Sequence, residues 1–195
     1  INLAGEPLTT HLVDRLYAET TGVKVYDLYG PSEDTTYSTF TLRQANERAT
    51  IGRPISNTKA FIVSPQGKLL PPGVSGELLL GGAGLARGYL NRPELTAEKF
   101  ITFDGMRVYR TGDRARFYEN GDLQFLGRLD HQIKLRGYRI ELGEIESLLE
   151  KHPSIEQAVT HVHDGKLVAY LRQNGGGETN DGTGIFTAAA APGGA

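Results

Sequence analysis

The chain has 195 residues, of which 38% are hydrophobic and 23% are charged, values that are typical of a globular domain. Its formal net charge of −2 argues against nucleic-acid and membrane-surface partners, since both require a basic excess, and it has no cysteine for a disulfide or a thiolate metal site. No stretch has the length of a membrane span or the layout of a signal peptide, so we expect a cytoplasmic protein. Because the sequence begins with Ile1 rather than methionine, we also expect it to be part of a longer polypeptide.

The first thirty-odd residues predict a helix followed by a strand. Leucines four residues apart predict an amphipathic helix over residues 8–20. The stretch KVYDLY, residues 24–29, is short, β-branched and aromatic, which predicts a strand that Gly30 and Pro31 would end. The polar sequence Ser-Glu-Asp at residues 32–34 therefore follows directly on a strand end.

The rest of the chain changes pattern twice. Residues 51–126 contain short apolar runs separated by Gly and Pro turns, which predict a small antiparallel sheet or barrel with one helix that has Pro93 in its first turn. From residue 127, an alternating stretch, a helical segment and a hairpin predict a separate α+β unit. Residues 173–195 are rich in Gly and Ala and predict a flexible tail. The fold class is therefore predicted as mixed α/β.

Three polar or glycine-rich stretches could carry chemistry. At residues 32–34 a hydroxyl could donate to phosphate and a carboxylate could hold Mg²⁺, although an ordinary turn with solvated acids has the same composition. The stretch GGAGLARGY, residues 81–89, lacks the lysine of a phosphate-binding P-loop, and we predict that its glycines serve close backbone packing. Asp113 follows a Thr-Gly turn and could accept both hydroxyls of a ribose, or it could be a turn acid.

The histidines give no convincing metal site. His161 and His163 would share one face of a predicted hairpin, with Asp164 beside them, but no third ligand is apparent. A solvated hairpin end explains this composition, and we predict no zinc site.

The order and spacing of several long motifs change this interpretation. Between residues 2 and 171 they strongly resemble the adenylation domains of nonribosomal peptide synthetases, within the adenylate-forming superfamily. The resemblance implies activation of an amino acid with ATP to aminoacyl-AMP and pyrophosphate, with Mg²⁺, and its transfer to a phosphopantetheine thiol. The implied partners are the amino acid, a peptidyl carrier domain and neighbouring synthetase domains. The motifs are LAGEPL, LYGPSED, IGRPI, GELLLGGAGLARGYLNRPELTAEKF, YRTGDR and GDLQFLGRLDHQIKLRGYRIELGEIE.

The resemblance also implies roles for individual residues. Three would act in catalysis: Ser32 on the α-phosphate, Glu33 as the Mg²⁺ ligand and Arg128 on the ribose and phosphate. Among the nucleotide-binding residues, Tyr29 would lie against the adenine ring and Asp113 would hold the ribose, beside an aromatic residue. The nucleotide-binding residues are Gly5, Asp27, Tyr29, Ser32, Asp113, Phe125 and Arg128. The amino-acid pocket would be lined by Asn2, Ala4, Leu28, Thr36 and Tyr37, which make a moderately polar cavity.

The implied architecture has three parts. Residues 1–126 would be the C-terminal part of a large α/β core subdomain, with a small antiparallel β-barrel near 51–126, and residues 127–172 would begin a mobile α+β C-terminal subdomain. Asp130 would be the hinge, or alternatively only a local ion-pair partner of Arg128. Lys134 and Arg136 could contact the phosphopantetheine or its carrier, or form a solvated strand face. Residues 173–195 would be the tail.

The sequence departs from the family pattern in several places. The family usually has Asn at Asp27, Thr at Ser32 and Leu at Arg114. The family's phosphate loop and its C-terminal lysine segment are missing, so we expect no measurable adenylation activity from the chain alone. The earlier pocket positions of the family, including the aspartate that binds the substrate ammonium, would lie upstream of Ile1, so the residues present do not identify the amino acid. Two alternatives stay open: an acyl-CoA or aryl acid ligase of the same superfamily, and a non-catalytic docking fragment.

Overall fold

The computed structural model describes residues 1–130, 132–135, 138–163, 166–173 and 185–186. The fold is mixed α/β, as predicted, and most of its regular structure is antiparallel sheet. The chain separates into two compact units, residues 1–130 and residues 131–195. The described helices are α1 (Thr10–Glu19), α2 (Pro93–Lys99) and α3 (Leu142–Leu149).

The first unit contains two sheets. A four-stranded sheet has the order β1-β2-β3-β4, and a five-stranded antiparallel sheet has the order β5-β6-β8-β7 with β9 on β8, and curls into a half-barrel. The strands of this unit are β1 (Asn2–Ala4), β2 (Val25–Tyr29), β3 (Thr39–Arg43), β4 (Arg53–Pro54), β5 (Thr58–Val63), β6 (Gly76–Gly82), β7 (Phe100–Phe103), β8 (Met106–Phe117) and β9 (Leu123–Arg128).

The four-stranded sheet is covered on one face by α1. This helix begins where the Thr9 hydroxyl accepts a hydrogen bond from the Leu12 amide at 3.3 Å, which satisfies one of the free amides of the first turn. Val13 packs with Val25 of β2 in a small apolar cluster, and both are fully buried. The predicted helix is therefore confirmed, with its first residue set by the Thr9 cap.

The half-barrel is built around a core of aliphatic residues. Leu78 and Leu80 of β6 are fully buried there, and Tyr29 of β2 packs with them. The predicted hairpin through Glu119-Asn120-Gly121 is confirmed as β8 and β9. The apolar run at residues 68–70 forms only an isolated bridge, Val63↔Leu69, because the two prolines that follow provide no amide for a ladder.

The second unit contains a hairpin, a helix and a small sheet. Helix α3 packs on this sheet, burying Leu142 against the face that carries Ala158 and Thr160. A flexible tail was predicted over 173–195, but Gln173 is the last residue of a strand. Ile185 and Phe186 form a further short strand, because these two apolar residues have a high β propensity and pair with Tyr170 and Ala169. The strands are β10 (Gln132–Leu135), β11 (Tyr138–Glu141), β12 (Ile155–His163), β13 (Lys166–Gln173) and β14 (Ile185–Phe186).

None of the helices in the described part of the chain has the length and apolar character that crossing a bilayer requires. The longest of them, α1, has only 10 residues, and a span needs about 20.

Candidate functional site

The strand β2 ends in a tight turn that buries two acidic side chains. Gly30 permits this turn, because a Cβ there would lie 2.6 Å from the Thr36 carbonyl oxygen and 2.7 Å from the Ser38 amide. Residues 32–34 then form a short 3₁₀ turn, in which Glu33 is 9% and Asp34 1% exposed while Ser32 is exposed. A turn of solvated acids therefore does not describe these two carboxylates.

Asp113 lies in a buried polar cluster at the junction of the two sheets. It is 6% exposed, and its Oδ1 accepts a hydrogen bond from Arg128 Nη1 at 2.9 Å. Its Oδ2 accepts one from the Tyr29 hydroxyl. Burial, reinforced by the charge of this carboxylate, raises the pKa of Tyr29 well above its usual range, so the hydroxyl stays a donor. The arrangement can hold the Asp113 carboxylate in one orientation.

Arg128 joins this carboxylate to Asp130. Its Nε donates to Asp130 Oδ1 at 2.8 Å, its Nη2 donates to Asp130 Oδ2, and its Nη1 also donates to the Thr111 carbonyl at 2.8 Å. The local ion pair considered from the sequence is therefore present. Gly112 makes room for it, because a Cβ there would lie 2.7 Å from Asp130 Oδ2 and 2.8 Å from Arg128 Nη2.

Two aromatic residues border the same cluster. The Tyr29 and Phe125 ring centroids are 6.2 Å apart, and both rings contact the core of the half-barrel. Tyr29 is 8% exposed, so most of its ring is covered by protein. The structure thus brings together four predicted nucleotide-binding residues: Tyr29, Asp113, Phe125 and Arg128.

Asp27 forms a buried ion pair elsewhere in the first sheet. It is 4% exposed, and its Oδ2 accepts a hydrogen bond at 3.1 Å from Nη1 of Arg43, which is 1% exposed. Burial raises the pKa of Asp27, although the Arg43 charge opposes this shift. Sequence reasoning missed Arg43. The signal was available in the alternation of TFTLR, which places it on the same strand face as Thr39.

Three of the predicted amino-acid pocket residues lie on the other face of this sheet. Ala4 of β1 is paired with Leu28 of β2 in parallel register, and Asn2 lies two residues before Ala4 on the same face. Asn2, Ala4, Thr36 and Tyr37 are exposed and Leu28 is half-buried. Gly5 directly follows β1 and has a left-handed φ of +92°. The structure therefore places three of the pocket residues side by side, with the other two in the loop before β3.

The donor set at the turn fits a hard divalent cation. Mg²⁺ is usually bound through one or two carboxylates together with substrate phosphates, so a single buried glutamate such as Glu33 suits it. Glu33 Oε1 accepts a hydrogen bond from the Tyr89 hydroxyl at 2.7 Å, a contact that the sequence did not reveal. Because a carboxylate offers about four lone-pair sites, this bond does not exclude a metal ligand role.

Some predictions fall on parts of the chain that the structure does not describe. The side chain of Lys134, the residues Arg136 and Asp164, and most of the predicted tail lie outside the described residues. Within the described ranges, no group of three or more His, Asp or Glu side chains could hold a metal ion by itself.

Comparison with known proteins gives consistent similarities. A family model described as AMP-binding enzyme matches residues 1–90. One linear gramicidin synthase protein of Brevibacillus parabrevis is 49% identical over 188 residues, which are 90% of this chain and 4% of that protein. The adenylation domain AlmE of Vibrio cholerae, solved with glycyl-adenosine-5'-phosphate, has a TM-score of 0.79 and 32% identity over 89% of this chain and 36% of that one. PA1221, a nonribosomal peptide synthetase protein with adenylation and PCP domains, has a TM-score of 0.76 and 31% identity over 88% of this chain and 37% of that one.

Proposed function

The chain belongs to the AMP-binding enzyme family, as part of an adenylation domain of the nonribosomal peptide synthetase type, and we propose that a complete domain carrying it activates an amino acid with ATP. The products would be aminoacyl-AMP and pyrophosphate, and the aminoacyl group would pass to the phosphopantetheine thiol of a carrier domain. The observation that carries this proposal is the buried cluster of Tyr29, Asp113 and Arg128, in which two donors orient one carboxylate. The chain spans 36% of AlmE, so the activity belongs to the complete domain.

The ribose would bind to Asp113. The hydroxyl of Tyr29 and the guanidinium of Arg128 each occupy one oxygen of its carboxylate. About four lone-pair sites per carboxylate leave room for the two ribose hydroxyls. Phe125 borders this position, and Tyr29 and Gly5 would contribute to the adenine side. The side chain of Asp27, by contrast, is buried in its ion pair with Arg43.

The phosphates would bind at the turn after β2. The exposed Ser32 hydroxyl can donate to the α-phosphate, and Glu33 would hold Mg²⁺, which when bound supplies positive charge to the phosphate oxygens. Arg128 would neutralise the charge that develops as an amino-acid carboxylate oxygen bonds to the α-phosphorus and the bond to the pyrophosphate oxygen breaks.

The amino acid would lie against the exposed face that carries Asn2, Ala4 and Leu28, with Thr36 and Tyr37 at one end. We further propose the domain organisation that the resemblance implies: residues 1–126 in the core subdomain, 127–172 in the mobile subdomain and a hinge at Asp130. A hinge at this position would let the small subdomain present a carrier domain after adenylation. Neighbouring synthetase domains would supply that carrier.

The test is ATP–pyrophosphate exchange by a complete adenylation domain that carries this sequence, across amino acids and a set of aryl and fatty acids. We expect exchange with one amino acid, and we expect Asp113→Ala to lower kcat/KM about 100-fold or more, since each charged hydrogen bond contributes about 1.5–3 kcal/mol. Glu119→Ala, which removes an exposed turn carboxylate, is the matched control. Exchange by Asp113→Ala at the parent rate would refute the ribose role, and exchange only with an aryl or fatty acid would replace the amino-acid proposal.

A further inference from the structure

We propose that residues 83–89, here called the clamp loop, hold Glu33 in the orientation that binds a divalent cation, with Tyr89 as the positioning residue. The clamp loop connects β6 to the segment before α2 and contains most of the glycine-rich stretch GGAGLARGY. This inference rests on the proposed function, in which Glu33 binds Mg²⁺.

The clamp loop makes three hydrogen bonds to the turn that carries Glu33. The Tyr89 hydroxyl donates to Glu33 Oε1 at 2.7 Å, and the Ala86 amide donates to the Glu33 carbonyl at 2.8 Å. The Thr35 hydroxyl donates to the Gly84 carbonyl at 2.7 Å. Both the backbone and the side chain of Glu33 are therefore held by this one loop.

The contact requires a close approach and an unfavourable backbone conformation. A Cβ on Gly84 would lie 2.6 Å from Asp34 Oδ1, so only glycine lets the loop lie this close to the turn. Thr35 has a φ of +67° and a ψ of −83°, a strained conformation for a β-branched residue. The hydrogen bonds to the clamp loop offset this strain and keep the turn in place.

Tyr89 is itself fixed by its neighbours. Its amide donates to Thr96 Oγ1 at 2.9 Å, and its ring packs edge-on against Phe100 with centroids 5.7 Å apart. Its hydroxyl lies 3.5 Å from that of Tyr109. Its phenolic hydroxyl is an uncharged group with one proton to donate, and it donates to Glu33 Oε1.

A neutral donor is the suitable partner for a metal-binding carboxylate. It fixes the carboxylate plane while leaving the full negative charge for the cation, whereas a lysine or arginine would neutralise that charge and repel the metal. Ligating carboxylates in metal sites are commonly hydrogen-bonded, and loss of such a partner typically lowers metal affinity about 10- to 100-fold. Tyr89 has this relation to Glu33, because its uncharged hydroxyl donates a hydrogen bond to the carboxylate that we propose as the metal ligand.

The test is Tyr89→Phe in a complete adenylation domain carrying this sequence. The measurement is binding of Mn²⁺ as a Mg²⁺ substitute, followed by electron paramagnetic resonance in the presence of ATP and without an amino acid, so that no turnover is needed. We expect Mn²⁺ affinity to fall about 10- to 100-fold. Tyr118→Phe, which loses a remote hydroxyl contact to the Ala49 carbonyl at 3.0 Å, is the matched control and is expected to bind as the parent does. If Tyr89→Phe binds Mn²⁺ with the affinity of the unsubstituted domain, the inference is overturned.

Two further variants separate the possible failures. If Tyr89→Phe does not fold, Thr35→Val removes another clamp-loop bond without changing side-chain shape, and unchanged Mn²⁺ affinity in this variant would overturn the inference instead. Glu33→Gln tests the proposed function itself. If Glu33→Gln binds Mn²⁺ as tightly as the unsubstituted domain, Glu33 is not a metal ligand. If Glu33→Gln binds Mn²⁺ more weakly but Tyr89→Phe does not, Glu33 remains a metal ligand and only the positioning role of the clamp loop is refuted.

Discussion

The buried ion pair between Asp27 and Arg43 makes a quantitative prediction about stability. Both side chains are almost inaccessible, at 6% and 1% exposure, and their nearest atoms are 3.1 Å apart. Removing one partner of a buried pair leaves the other charge uncompensated, which typically costs about 3–5 kcal/mol. The substitutions that test this are Asp27→Asn and Arg43→Met, alone and together.

The magnitude follows from the individual contacts. Arg43→Met loses a charged hydrogen bond to Asp27 and a second bond to the Leu8 carbonyl at 3.1 Å. It also removes two buried guanidinium nitrogens, Nε and Nη2, for which the described residues provide no hydrogen-bond acceptor. This relief offsets part of the loss, so we expect about 3 kcal/mol for Arg43→Met. Asp27→Asn should cost less than this, since its amide oxygen still accepts from Arg43 and burial disfavours the ionised form of Asp27.

The assay is urea unfolding of the four proteins, followed by circular dichroism, as a double-mutant cycle. Because the double variant buries no charge at this site, we expect it to be destabilised by less than the sum of the single variants, with a coupling energy of about 2 kcal/mol. Unfolding free energies that add to within about 0.5 kcal/mol would show that the two residues act independently. That result would refute the argument that their charges depend on each other.

Two further predictions concern charge and backbone shape. Because burial raises the folded pKa of Asp27 above its ordinary value of 3.8, its contribution to stability is complete below pH 3.8 and is lost as the pH rises through the folded pKa. The urea unfolding midpoint of the parent should therefore exceed that of Asp27→Asn by less and less as the pH rises from 4. A difference that grows with pH would contradict this prediction. Gly112→Ala should lower the melting temperature and the pyrophosphate exchange rate, because its φ is +68° and its Cβ would displace Arg128 and Asp130. An unchanged melting temperature and an unchanged exchange rate in Gly112→Ala would contradict the argument that only glycine fits at this position.

Local sequence signals predicted much of the fold. The turn signal Glu119-Asn120-Gly121 specified the hairpin of β8 and β9, and the leucine spacing specified α1. Where local signals failed, a neighbouring residue or a distant partner decided the structure. The apolar run at 68–70 precedes two prolines, and the strand at Ile185–Phe186 depends on pairing with β13.

The candidate site was less accessible to sequence reasoning, because its contacts join distant parts of the chain. Tyr89 and Glu33 are 56 positions apart, and Arg43 and Asp27 are 16 apart. The alternation of TFTLR places Arg43 on one face of its strand, but neither stretch identifies the distant residue that it contacts. The prediction that the glycines of residues 81–89 serve close packing is confirmed, since a Cβ on Gly84 would meet an oxygen of the neighbouring turn at 2.6 Å.

Tyr29 explains how two separate sheets can contribute to one site. It is the last residue of β2, so its position fixes where the turn with Glu33 begins. Its ring packs in the core of the half-barrel, and its hydroxyl donates to Asp113 of β8. The burial of an aromatic ring and one hydrogen bond thus set the distance between the proposed phosphate turn and the proposed ribose carboxylate. A smaller side chain at this position would leave a cavity in the half-barrel and remove the hydrogen bond to Asp113 Oδ2, so the alignment of the site depends on the packing of the core.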